Sequence, residues 1–160
     1  MQIDEIGLQD PNGRALSLVA VPRPNEFRAD ELPVSQHFMC FLAWDASTAT
    51  IDEISDLANA LLRSGAVSIS CWGKGCERVH DIFDELIVGD GAAGSGYSKS
   101  IMTTWHSRES YREAIWYALF VAQPTDLFEA TCLDSVFILV NEPDRIPGTR
   151  EILHDPSNLP

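Results

Sequence analysis

Two spacings of apolar residues divide the chain into alternating strands and helices. Residues 15–21 (ALSLVAV) and 37–44 (HFMCFLAW) are short, continuous apolar runs, the pattern of strands covered on both faces. Pro22 and Pro24 stop the first of them. From 51 to 62 the period changes, and Ile51, Ile54, Leu57, Ala58, Leu61 and Leu62 recur on one helical face. Thr50 and Glu53 supply a capping box at its start, and Gly65 a left-handed stop at its end. Residues 66–72 (AVSISCW) return to strand spacing, with Val67, Ile69 and Cys71 on one face. Cys76, Val79, Ile82, Phe83 and Leu86 then mark a second helix. Residues 100–105 (SIMTTW) read as a strand. A third helix runs from a Ser107 cap to about Ala122, turning Tyr111, Ile115, Ala118, Leu119 and Ala122 inward, and Pro124 closes it. Residues 135–140 (SVFILV) form the last predicted strand.

The remaining segments lack such periods. Residues 1–13 are polar and close in the turn signal Asp10-Pro11-Asn12-Gly13. Residues 89–96 (GDGAAGSG) read as a surface loop, and 141–160, with four prolines, as a loosely packed tail. The order is strand, strand-helix, strand-helix, strand-helix, strand. It predicts an α/β fold: a three-layer, Rossmann-like or flavodoxin-like arrangement with a mainly parallel sheet of about five strands and three main helices. The first predicted strand is a candidate antiparallel edge. The expectation is one domain over residues 1–140 and a C-terminal tail over 141–160.

Charge and cysteine usage narrow the function classes. The net charge is −13, from 24 acidic and 11 basic residues. This balance repels nucleic-acid phosphates and anionic membranes and favours a basic protein as partner. No run approaches the ~18 apolar residues of a membrane span. The start, Met1-Gln2-Ile3-Asp4-Glu5, lacks the pattern of a secretory signal, so a cytoplasmic location is expected. Cys40, Cys71, Cys76 and Cys132 form no C-x-x-C pair. Neither a zinc site nor a disulfide framework is expected, and no cofactor motif is complete.

Candidate chemistry gathers at the carboxyl ends of the predicted strands, where open α/β sheets hold their ligands. Trp44, Trp72 and Trp105 all fall at such ends and together define a candidate binding rim. Cys76 opens the second helix, where the helix dipole favours a thiolate. His106 is a candidate base for it and Asp45 a candidate orienter of that base. Burial of Cys76 within its own apolar stripe is the competing account. Gly73-Lys74-Gly75 suggests an anion-binding turn, yet it matches neither G-x-x-x-x-G-K-[ST] nor G-x-G-x-x-G, and its glycines equally serve a simple turn. Glu77, His80, Asp81, Asp84 and Glu85 make an acidic helix face.

Trp72-Gly73-x-x-Cys76 and Met102-Thr103-Thr104-Trp105-His106 carry a resemblance. With Glu113 and Trp116 on the helix that follows, the chain resembles a family of small bacterial proteins that is a domain of unknown function. The resemblance spans roughly residues 37–140 and implies candidate positions rather than an activity. Two readings follow. One is a non-catalytic, protein-binding module of accessory, inhibitor or immunity type, using an acidic surface and the tryptophan rim. The other is a cysteine-dependent hydrolase or transferase with Cys76 as nucleophile and His106 as base.

Overall fold

The computed structural model describes residues 1–89 and 94–160, so residues 90–93 of the expected loop at 89–96 lie outside the described residues. The chain is a mixed α/β protein, with one six-stranded sheet and four α-helices among the described residues. In chain order the elements are β1 (Gln2–Gln9), β2 (Ala15–Val21), β3 (His37–Trp44), α1 (Ile51–Arg63), β4 (Ala66–Trp72), α2 (Cys76–Val88), β5 (Met102–His106), α3 (Tyr111–Phe120), β6 (Cys132–Val140) and α4 (Ile146–His154). The sheet order is β1-β2-β6-β3-β4-β5. Only β1 runs antiparallel to its neighbour, β2.

This order explains where the helices lie. The connections β3-α1-β4 and β4-α2-β5 step across the sheet in one direction, and β5-α3-β6 steps back. A single preferred hand for crossovers then sends α3 to the opposite face from α1 and α2. Accordingly, α1 and α2 pack with Phe38, Cys40, Leu42 and Ile69 on one face, and α3 and α4 with Phe41, Ala43, Phe137 and Leu139 on the other. β3 and β4 are covered on both sides, which is why their sequences read as continuous apolar runs. The rings of Phe41 and Phe137 sit 5.3 Å apart between β3 and β6. Burying each such ring is worth about 1.5–3 kcal/mol.

Several expectations are corrected. The sheet has six strands rather than about five, because β1 forms from the polar N-terminal segment. As an edge strand it is exposed along most of its length, so no apolar period marks it. β2 is therefore not the antiparallel edge; it pairs parallel with β6. Asp10 makes the β1–β2 turn as the sequence suggests, its Oδ1 accepting from the Asn12 and Arg14 backbone N–H groups. The third helix starts later than expected: Ser110, not Ser107, caps α3, with Glu113 completing a capping box. The α1 capping box of Thr50 and Glu53 is present.

The C-terminal segment is not a loose tail. α4 buries Thr149, Ile152 and Leu153 against the sheet. Arg145 fastens the start of this segment, its guanidinium lying 4.5 Å from the Trp72 ring centroid and 4.6 Å from that of Tyr111. The Tyr111 hydroxyl and Thr149 Oγ1 are hydrogen-bonded at 2.6 Å.

Candidate functional site

The predicted tryptophan rim is not assembled. Successive strand residues point to opposite faces, and the three strand ends differ in parity. Trp44 is buried on the α1–α2 face. Trp72 turns to the α3–α4 face, where Tyr111 and Arg145 cover it and its indole N–H donates to the Glu109 carbonyl. Trp105 sits at the open side of β5, 4.4 Å from the ring of His80 on α2. Trp44 and Trp72 thus finish the core at its top, and only Trp105 presents a large exposed surface.

The proposed nucleophile, base and orienter are also held apart. Cys76 opens α2 as expected, but its side chain is buried in the α1–α2 core. Burial pushes its thiol pKa up, against the opposing pull of backbone N–H groups of His106 and Glu77. The His106 ring lies on the other face of the sheet, 4.5 Å from Tyr117, with Nε2 3.3 Å from Thr104 Oγ1 and Nδ1 3.8 Å from Glu109. Burial lowers its pKa, offset in part by Glu109. Asp45 accepts from the Ser47 N–H and hydroxyl, which lower its pKa. Its other oxygen faces the Lys74 ammonium at 3.7 Å. Glu109, not Asp45, is the carboxylate beside His106.

Gly73-Lys74-Gly75 serves close packing. A Cβ at Gly73 would sit 2.3 Å from the Trp44 carbonyl oxygen, and its φ of +118° is one that favours glycine. Gly75 caps α2 in a left-handed conformation. The Lys74 carbonyl accepts from the Ala46 N–H at 2.8 Å, and the Arg78 guanidinium donates to the Ala46 and Ala49 carbonyls. These bonds lock the loop after β4 onto the loop after β3. Among the described residues, no group of three or more His, Cys, Asp or Glu is placed to hold a metal ion.

What the structure does assemble lies beside β5. The outer face of α3, the end of β5 and Pro160 form an open, mostly apolar hollow of about 380 Å³, lined by His106, Glu109, Glu113, Trp116, Tyr117 and Pro160. Trp116 stacks on Phe120 at 6.2 Å, and both, with Val121, are exposed. The inward stripe of α3 is Ala114, Ile115 and Leu119. Trp116 and Phe120 therefore form a second, outward apolar row, four residues apart. That row is present in the sequence as apolar residues off the inward stripe; Trp116 is marked there only through the family resemblance, while Glu109 and Glu113 read, with Arg108 and Arg112, as ordinary exposed ion pairs.

A family model described as Domain of unknown function (DUF7684) matches residues 20–153. The chain belongs to this family. The match runs from β2 to α4 and takes in Trp72-Gly73-x-x-Cys76, Met102 to His106, Glu113 and Trp116. No match was found among the curated proteins or the solved structures. No helix among the described residues is long and apolar enough to cross a membrane.

Proposed function

We propose that the chain is a non-catalytic protein-binding module, of accessory, inhibitor or immunity type, that docks a basic partner on the outer face of α3. The observation that carries this reading is the exposed aromatic row of Trp116 and Phe120 beside a hollow rimmed by Glu109 and Glu113. Aromatic anchors in an apolar patch supply most of the affinity at protein interfaces, and surrounding charge selects the partner. The net charge of −13 points to a basic one. Four free, buried cysteines suit a reducing, cytoplasmic compartment. Helices on both faces of a mostly parallel sheet support a doubly wound, Rossmann-like relationship in the broad sense, with its own strand order. The cysteine-enzyme alternative asks for an accessible thiolate beside a base, whereas Cys76 is buried, with a raised pKa, on the other face from the His106 ring.

The test is recovery of partners from the native host at low salt, with Trp116→Ala and Glu109→Lys chains alongside the natural one. Losing an anchoring tryptophan costs about 2 kcal/mol, or roughly 30-fold in affinity. A specific basic protein that is retained by the natural chain, lost from Trp116→Ala and released by moderate salt supports the reading. Identical recovery by all three chains counts against it.

A further inference from the structure

The two edges of the sheet are built differently. β1 carries the charges Asp4 and Glu5, Gly7 at a φ of +74°, and a register irregularity between Glu5 and Gln9. Charges and bulges of this kind are how proteins block strand addition. β5, Met-Thr-Thr-Trp-His, contains no Asp, Glu, Lys, Arg, Pro or Gly. It is the last strand of the sheet, with no strand on its outer side among the described residues. Trp105 and Met102 are 43% and 46% exposed there. Thr103 donates to Asp84 and the Trp105 ring packs at a tilt against His80, so those two residues face α2. Met102 alternates with them and faces the α3 side with His106. An edge without charge, proline or bulge leaves its outer main-chain groups open to a partner strand.

We propose that β5 is a strand-addition site, at which an extended basic segment of the partner pairs main chain to main chain with the outer edge of the sheet. The proposal rests on the protein-binding reading above and names the form the partner takes. Charge decides the occupant. Asp81 and Asp84 flank His80 under Trp105 on one face, and Glu109 lies beside His106 on the other. A second copy would set these carboxylates against their own images, within two chains of −13 each. A segment alternating lysine or arginine with apolar residues instead places its cations over Asp81 and Asp84. Its apolar side chains then meet Met102 and the aromatic hollow.

The test uses the full chain, labelled with ¹⁵N, and three short peptides: alternating lysine–valine, alternating glutamate–valine, and lysine alone. The lysine–valine peptide is expected to shift the β5 amides saturably and slow their hydrogen exchange about tenfold or more. Neither of the other peptides is expected to protect β5. Asp81→Lys, a change on an exposed side chain, is expected to weaken the lysine–valine peptide about tenfold, and Trp105→Ala likewise. Shifts confined to α3, sensitive to Trp116→Ala but not to Asp81→Lys, would overturn strand addition while leaving α3 docking intact. Absence of binding by every peptide up to about 1 mM would overturn strand addition, while docking on α3 stands or falls by the recovery test with Trp116→Ala. Self-association of the free chain with β5 protected would overturn the choice of a basic partner.

Discussion

At the residue scale, Cys76 and His106 show environment overruling position. The first turn of a helix favours a thiolate, yet desolvation of the Cys76 side chain outweighs it and raises the pKa. Iodoacetamide at neutral pH is therefore expected to label Cys76 far more slowly than a free cysteine, with labelling appearing on unfolding, as mass spectrometry would record. His106 carries a pKa below its ordinary value of 6.5 because it is buried. The unfolded chain binds that proton at higher pH than the folded one. The His106 contribution to stability is thus complete above about pH 6.5 and declines as pH falls through the interval down to the lowered folded pKa. The thermal midpoint of the natural protein is expected to fall more steeply from about pH 7 to about pH 5 than that of His106→Gln. Parallel slopes would show that the burial of His106 has no energetic consequence.

At the element scale, the loop after β4 illustrates the difference between glycine required by conformation and glycine required by contact. Gly13 and Gly73 both have positive φ, +83° and +118°. A Cβ at Gly13 meets open space, whereas at Gly73 it meets the Trp44 backbone at 2.3 Å. Gly13→Ala is expected to cost about 1 kcal/mol, the ordinary strain of a left-handed alanine. Gly73→Ala adds a backbone collision between β3 and β4 and is expected to cost about 3 kcal/mol or more. Urea denaturation of the two variants measures both, with an unchanged slope showing that the transition stays two-state. The same contact explains why a G-K-G sequence with the look of a phosphate loop is a packing device. Its second glycine starts α2, and its central carbonyl is already bonded to Ala46.

At the scale of the whole molecule, the excess of acidic charge opposes compaction. The thermal midpoint is expected to rise between about 10 mM and about 150 mM salt as that repulsion is screened; calorimetry at constant pH would detect a flat or falling trend that contradicts this. The sequence by itself determined the alternation of strands and helices, since buried β3 and β4 and the stripe of α1 leave periods that any reader can find. It also determined the α1 cap, because Thr50 and Glu53 are three residues apart and need no distant partner. β1 left no period because an exposed edge strand buries almost nothing. α4 was hidden by the four prolines of residues 141–160, although only Pro147 lies in the helix, at its start, where proline is well tolerated. Only the tertiary structure decided which strand ends share a face. Trp44, Trp72 and Trp105 occupy the same kind of chain position, but parity and strand order send them to different surroundings. The candidate surface beside β5 was set in the same way. Trp116 becomes an exposed neighbour of His106 only because β5 is the last strand and α3 returns across the opposite face. That adjacency joins distant segments through the sheet, and no local spacing encodes it.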